Sequence, residues 1–345
     1  MDFHKLDNLV LSALEQCMFT GAAILVSRRL ETLFEGYYGS VGGTGTACVT
    51  KETLFDLASL TKVLATTPCW IVMAASDPKI VDLEISHWFA DVPRDKAGIT
   101  PRHMLAHCSG LPAWRPYYLH GRHNQDEMNA RILSEPLEYD TGRGCIYSDL
   151  GFMLLASIVE QETGQSVASF SPSKVYEPLG LNRDLLFLPS GADHTIALTR
   201  EGDPPGIVND LNGRSLGGVS GHAGLFGTAR GVAVTAQQFL LSLSGSQGFF
   251  DQKTIRSFCN RAGFVPSCTR ALGFDTPSEE GSSSGERFSQ DSIGHTGFTG
   301  VSLWIDIPRE IVVVLLTNRV FMGESDFRIK TFRPILHNAV MELLE

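Results

Sequence analysis

The fold is decided by the stretch Leu54-Phe55-Asp56-Leu57-Ala58-Ser59-Leu60-Thr61-Lys62. It places Ser59 and Lys62 in the spacing S-x-x-K, immediately before an apolar run over residues 63–75. If Ser59 stands at a helix start, Lys62 lies one turn further on, over the same helix face. Two polar side chains then meet at the beginning of an otherwise apolar helix.

This pair of side chains has useful chemistry. A serine hydroxyl is a weak nucleophile until a base takes its proton. A partly buried lysine has a lowered pKa and can serve as that base, and the N–H groups of a helix N-terminus can hold an oxyanion. The motif alone leaves a second interpretation open, in which Ser59 only caps the helix and Lys62 is solvated. The other two S-x-x-K matches both contain a proline: the match at Ser76 predicts a turn, and the match at Ser171 lies among polar residues.

Two other hydrolase templates fit this chain less well. The pattern G-x-S-x-G occurs at residues 213–217 and 281–285, but neither copy follows a predicted strand, as a nucleophile elbow requires. His103 and His107 are four residues apart on one face of a predicted helix, but Met104 stands where a zinc protease has glutamate. A helix before the turn Ser109–Pro112 is favoured over a metal site, and a metal hydrolase remains an alternative hypothesis.

Composition limits the class of protein. The 345 residues include 28 Lys and Arg against 38 Asp and Glu, a net charge of −10, and 43% are hydrophobic. Such a chain can bury a large core, and its acidity argues against nucleic acid as a partner. No apolar run reaches the roughly 20 residues of a membrane span, and no signal peptide is visible, so we expect a cytoplasmic protein. Seven scattered cysteines without a CxxC pair predict reduced, buried thiols.

Hydrophobic periodicity predicts an α+β fold with an antiparallel sheet formed by both chain termini and flanked by helices. The expected strands are 22–27, 31–38, 301–307 and 310–317, and the expected helices are 6–14, 127–133, 151–163 and 332–344. The last helix is expected to bury Ile335, Leu336 and Val340 on one face. We expect residues 1–77 with 191–345 to form the α/β sheet domain, and residues 78–190 to form a mainly helical domain.

Two further motifs follow Ser59–Lys62 in the chain, Tyr147-Ser148-Asp149 and His295-Thr296-Gly297. In this order, S-x-x-K, Y-x-N/D and K/H-T-G resemble the motifs of the penicillin-recognising serine hydrolases. The tyrosine of the second motif makes the chain similar to the class C β-lactamase branch, which includes β-lactamases, D-alanyl-D-alanine peptidases and esterases. The resemblance extends from about Gly21 to about Arg319.

The resemblance implies a role for each matching residue. Ser59 would be the acylated nucleophile, Lys62 its base partner, and Tyr147 a second base that moves protons to the leaving group and from water. The oxyanion hole would consist of the backbone N–H groups of Ser59 and Phe298. Thr296 would belong to the substrate-binding triplet, and Gly297 would let substrate lie close to the strand.

Two residues depart from the family pattern. Asp149 replaces the usual asparagine, and an aspartate near Lys62 favours the charged lysine, which moves the base role toward Tyr147. We expect nearby cations to hold the pKa of Tyr147 low. His295 replaces the usual lysine and predicts a change of activity between about pH 5.5 and 7.5. Both departures weaken the case for substrates that carry a carboxylate.

The sequence therefore predicts a serine hydrolase that forms an acyl-enzyme on Ser59 and hydrolyses small esters or amides, with no cofactor and no metal. The first alternative is a β-lactamase or D-alanyl-D-alanine carboxypeptidase that acts on β-lactams or peptidoglycan peptides. The second is a non-catalytic binding module of the same fold.

Overall fold

The computed structural model describes residues 3–42, 45–266 and 268–345. The helices are α1 (His4–Glu15), α2 (Thr67–Ser76), α3 (Pro101–Leu105), α4 (Gln125–Ser134), α5 (Asp149–Thr163), α6 (Val167–Ser171), α7 (Leu211–Ser215), α8 (Ala229–Ser244), α9 (Gln252–Cys259) and α10 (Ile329–Leu344). The strands are β1 (Gly21–Arg28), β2 (Glu31–Gly39), β3 (Phe55–Asp56), β4 (Leu185–Phe187), β5 (Leu225–Gly227), β6 (Ile293–Thr296), β7 (Ser302–Asp306) and β8 (Ile311–Thr317). Two π-helical turns (Lys62–Thr66 and Pro172–Tyr176) and five 3₁₀ turns (Pro78–Asp82, Ile85–His87, Arg94–Lys96, Tyr117–His120 and Arg319–Met322) complete the regular structure of the described residues.

The main sheet has the order β2-β1-β8-β7-β6, and every neighbouring pair is antiparallel. The N-terminal strand β1 pairs with the C-terminal strand β8, with Ala22 opposite Thr317 and Arg28 opposite Ile311. The prediction of one antiparallel sheet from both chain ends, flanked by helices, is confirmed.

Alternate residues of β8 enter two different hydrophobic clusters, as the two-residue period of a strand requires. Val312, Val314 and Leu316 belong to the cluster that includes α8 and the helical region. The other alternating set of β8 residues, which starts at Ile311, belongs to the cluster that includes α1 and α10. Strand β8 is buried on both faces, which explains its continuous β-branched and apolar sequence.

The helical region is built around α5. The Ser148 side chain caps this helix by accepting the N–H of Gly151, and Gly164 ends it in the left-handed conformation. One continuous hydrophobic core joins Trp70, Phe152 and Phe239, which come from different parts of the chain. The division into a sheet domain and a helical domain remains a prediction.

Three expectations need correction. The final helix begins at Ile329, and Ile335 is 48% exposed because it lies about 100° around the helix from the buried Leu336. Cys145 and Cys268 form a disulfide across 123 residues of sequence, a pairing that no spacing pattern signals. Cys17 and Cys48 are free but exposed, so the prediction of reduced, buried thiols holds only for the three remaining cysteines.

A search of the described residues for a helix that is both long and apolar enough to cross a bilayer finds none. The cytoplasmic location expected from the sequence stays a prediction.

Candidate active site

Ser59 stands on a strained turn between β3 and the first helical turn. The residue before it, Ala58, has a φ of 44°, a left-handed conformation that is costly for a residue with a side chain. The buried carboxylate of Asp56 accepts the Ala58 N–H at 2.8 Å and the Asn209 N–H at 2.6 Å, which holds this turn in place. Ser59 is thereby fixed at the mouth of a cavity.

The Ser59 hydroxyl oxygen has two hydrogen-bond donors. Lys62 Nζ donates to it at 2.9 Å, and Tyr147 Oη donates to it at 2.7 Å. The Lys62 side chain is fully buried, whereas Ser59 and Tyr147 line the cavity. The structure therefore joins the first two motifs of the sequence at one oxygen atom.

Lys62 is held in its charged form. Burial lowers the pKa of its ammonium group, but the Asp149 carboxylate and the Tyr147 hydroxyl raise that pKa and prevail. Lys62 Nζ donates to Asp149 Oδ1 at 2.7 Å and to the His222 carbonyl oxygen at 3.2 Å. The expected effect of aspartate at position 149 on the lysine is confirmed.

Tyr147 lies among cations and imidazole rings. Lys62 Nζ is 4.8 Å and Arg270 Cζ 5.4 Å from its ring centroid, and the His107 and His295 rings lie at 4.6 and 5.7 Å. Burial nevertheless raises the pKa of Tyr147 above its ordinary value, although the Lys62 charge works against this. The expectation of a low pKa is wrong because desolvation of the phenolate outweighs the neighbouring positive charges.

His295 is a buried, neutral histidine in β6. Its Nδ1 donates to the Thr296 carbonyl oxygen at 2.7 Å, and its Nε2 has no partner among the described residues. Burial, followed by the charges of Arg270 and Lys62, holds the pKa of His295 well below 6.5. The predicted change of activity between about pH 5.5 and 7.5 is therefore wrong for this group.

Gly297 lets the turn after β6 pack against the turn that carries Ser59. A Cβ at Gly297 would lie 2.8 Å from the Leu57 carbonyl oxygen and 3.2 Å from Ala58 Cβ. Glycine is therefore needed at this position for contact between the two turns. In the described residues, the backbone N–H groups of Ser59 and Phe298 have no protein acceptor and remain available for a substrate oxygen.

The cavity beside Ser59 has a volume of about 710 Å³. Seven of the eight predicted site residues line it, and the eighth, Lys62, lies buried behind Ser59. Four basic side chains also line it, namely Arg270, Arg319, Lys330 and Arg333. Sequence reasoning missed all four, since none belongs to a motif.

His103 and His107 do not form the arrangement expected of a metal helix. Helix α3 ends at Leu105, and His107 follows with a φ of 57°, so the two residues do not share a helix face. Nδ1 of His107 accepts the Ser148 N–H at 3.0 Å, and its ring packs against Tyr147. His107 thus supports the second motif.

The fold and this site define a class of protein, the serine hydrolases, and comparisons with known proteins agree. The sequence model of the Beta-lactamase family matches residues 6–334. The chain therefore belongs to the beta-lactamase family, whose members are serine hydrolases.

Two curated relatives are similar over most of the chain. One is named N-acetylmuramyl-L-alanine amidase, from Bacillus subtilis (strain 168), and is 33% identical over 87% of this chain and 77% of the relative. The other is named putative D-alanyl-D-alanine carboxypeptidase, from Escherichia coli (strain K12), and is 30% identical over 88% of this chain and 77% of the relative.

Solved structures share the fold. A structure titled "A class C beta-lactamase" superposes with a TM-score of 0.78 at 17% identity, covering 99% of this chain and 96% of that one. EstCE1, described as a hydrolase with promiscuous acyltransferase activity, superposes with a TM-score of 0.75 at 21% identity, covering 96% and 98%. At these identities the likeness confirms the fold class.

Proposed function

We propose that this chain hydrolyses small esters or amides through an acyl-enzyme on Ser59. The observation that carries the proposal is the pair of hydrogen bonds from Lys62 Nζ and Tyr147 Oη to Ser59 Oγ, at 2.9 and 2.7 Å. A serine held by two proton-carrying groups beside a cavity has both a route for its own proton and a proton for the leaving group.

Acylation begins at the Lys62–Asp149 contact. Lys62 passes a proton to the Asp149 carboxylate across 2.7 Å, and the resulting amine takes the Ser59 hydroxyl proton as the serine oxygen bonds to the substrate carbonyl carbon. Tyr147 is protonated because burial raises its pKa, so it can donate its proton to the leaving oxygen or nitrogen as that bond breaks.

Deacylation returns each proton. The Tyr147 phenolate takes a proton from water, and the hydroxide that forms attacks the acyl carbon. Ser59 leaves with a proton from Lys62, which recovers one from Asp149. During both attacks the free N–H groups of Ser59 and Phe298 would hold the negative oxygen.

The preference for neutral esters or amides rests on Asp149 and His295. An ionised aspartate cannot donate to a substrate amide carbonyl, and a neutral histidine gives no charge to a substrate carboxylate. A second candidate is a peptide or β-lactam substrate with a carboxylate. It is favoured by the four basic side chains of the cavity and by the amidase and carboxypeptidase names of the relatives.

Kinetics with a substrate panel test the proposal. Purified protein is assayed with p-nitrophenyl acetate and butyrate, nitrocefin and D-Ala-D-Ala peptides, together with the variants Ser59→Ala and Ser76→Ala. Ser76 is the matched control because it belongs to another S-x-x-K match and is exposed. We expect the highest kcat/KM for a neutral ester, its loss in Ser59→Ala and its retention in Ser76→Ala. A higher kcat/KM for nitrocefin or the peptides supports the second candidate, and no turnover of any substrate supports the binding module.

A further inference from the structure

Two buried arginines line the cavity without a carboxylate partner. Arg319 is 2% exposed and Arg333 is 6% exposed, and across the described residues neither guanidinium lies within 4.0 Å of an Asp or Glu carboxylate oxygen, although Arg319 Nη1 donates to the main-chain carbonyl oxygens of Glu324 and Asp326. An unpaired buried charge is costly, because the protein must replace the water that the ion loses. The position of both cations beside Ser59 makes a function for the charge the explanation that we pursue.

Both guanidinium groups hold the turn that follows β6. Arg333 Nη2 donates to the carbonyl oxygens of Gly297, at 2.5 Å, and Val301, at 2.7 Å. Arg319 Nε donates to the Phe298 carbonyl oxygen at 2.9 Å. Three carbonyl oxygens of the segment 297–301, which contains the Phe298 N–H, therefore accept hydrogen bonds from buried cations.

The Arg333 contact acts on one peptide group in particular. The Gly297 carbonyl and the Phe298 N–H belong to the same planar peptide, in which C=O and N–H point in opposite directions. A cation bound at the oxygen therefore fixes the direction of the N–H. It also polarises the amide, which makes the N–H a stronger donor.

Arg333 places a positive charge near the third motif, where His295 replaces the family's usual lysine. The family's common lysine would bring a permanent charge to the third motif, whereas His295 is neutral here. Arg333 remains protonated at neutral pH, since burial and the charge of Arg319 lower its pKa only to about 9. The third motif thus has a cation nearby, but it comes from α10.

We propose that Arg333, assisted by Arg319, is a positioning residue that orients and polarises the Phe298 N–H for the oxyanion of the substrate. This inference rests on the proposed function, because it requires an acyl transfer at Ser59. It assigns to Arg333 an effect on the transition state and no contact with a substrate carboxylate.

Single-turnover acylation by a neutral p-nitrophenyl ester tests the inference with Arg333→Met and Arg333→Lys. The matched control is Arg28→Met, because Arg28 also donates to a main-chain carbonyl, that of Leu344, but at the opposite end of the sheet. We expect Arg333→Met to lower the acylation rate by roughly 10²-fold, the loss typical of one oxyanion donor, with little change in KM. Arg333→Lys should be intermediate, because it keeps the charge but not the paired donors, and Arg28→Met should match wild type.

A second readout separates orientation of the N–H from general loss of structure. A boronic acid that forms a tetrahedral anionic adduct on Ser59 should bind most tightly to wild type, less tightly to Arg333→Lys and least tightly to Arg333→Met. Its affinity should fall in parallel with the acylation rate. Wild-type acylation in either Arg333 variant overturns the inference. So does a loss confined to KM for substrates that carry a carboxylate. If wild type itself is not acylated on Ser59, the proposed function fails first, and the two failures are distinguished.

Discussion

Lys62 Nζ lies 2.7 Å from Asp149 Oδ1, so the lysine that donates to the candidate nucleophile is itself held by a carboxylate. The Lys62 side chain is fully buried and that of Asp149 is 17% exposed. In such surroundings the carboxylate keeps the lysine charged, and it also offers the nearest acceptor for a lysine proton. The protonation state of the candidate site is therefore a property of the pair.

Replacement of Asp149 by asparagine should change the substrate preference. Asparagine can donate to a substrate amide carbonyl, whereas the carboxylate can only accept, and the pKa of Lys62 should fall once its counter-ion is gone. We expect the ratio of kcat/KM for nitrocefin to that for p-nitrophenyl acetate to rise about tenfold, the equivalent of one modest hydrogen bond. The exposed Asp140→Asn is the control. An unchanged ratio would show that residue 149 does not set the preference.

Gly297→Ala should separate the two turns of the site. The added methyl group would lie 2.8 Å from the Leu57 carbonyl oxygen, so one backbone segment must move. We expect a loss of about 1–3 kcal/mol in the free energy of unfolding, together with a lower acylation rate. Gly98→Ala is the control, because a Cβ there meets no atom within 4 Å. Equal stability and equal activity of both variants in urea titrations and ester assays would refute the packing role of Gly297.

His337 should make the protein less stable in acid. Its Nδ1 donates to the Ser283 carbonyl and its Nε2 accepts from Ser302, so the folded protein requires the neutral ring. Burial lowers the pKa of His337 from 6.5 to about 4. The unfolded chain therefore binds the proton first, and stability present above pH 6.5 is lost as the pH falls toward 4. A His337 pKa of about 4 in the folded protein, against 6.5 in the unfolded chain, corresponds to roughly 3 kcal/mol of stability.

Urea unfolding at several pH values measures this contribution of His337. The midpoint for His337→Asn should fall less steeply between pH 6.5 and 4 than that of wild type or of the exposed control His120→Asn. Identical slopes for all three proteins would mean that His337 does not carry the acid sensitivity.

The disulfide gives a prediction about thiol number and stability. Unfolding without reductant should reveal five free thiols among the seven cysteines. Cys268→Ser should cost about 2–5 kcal/mol of stability, and reductant should destabilise wild type by a similar amount. The free, exposed Cys17 provides the control substitution Cys17→Ser. Seven titratable thiols, or a wild-type midpoint that reductant does not move, would contradict the bond.

The sequence predicts the longer strands and helices of this protein because their hydrophobic patterns continue over many residues. Strand β8 has seven consecutive apolar or β-branched positions, and the helix around Phe152 has a clear glycine stop at Gly164. The small sheet β3-β5-β4 was not predicted, since strands of two or three residues are too short to show a period.

The candidate site was predictable where a motif marks it and unpredictable where only packing does. Ser59, Lys62 and Tyr147 stand in ordered motifs, and the structure brings them together at one oxygen. Arg333 belongs to no motif and reaches the site from the C-terminal helix. The predicted low pKa of Tyr147 is wrong because burial outweighs the nearby charges, and the extent of burial depends on the complete fold.

The central claim is that Ser59 is the residue that becomes acylated. Intact-mass measurement and peptide mapping after reaction with a fluorophosphonate test it most directly, in wild type, Ser59→Ala and Ser76→Ala. The account predicts one adduct per chain, on the peptide that contains Ser59, present in wild type and Ser76→Ala and absent from Ser59→Ala. An adduct on another residue, or equal labelling of Ser59→Ala and wild type, would contradict it.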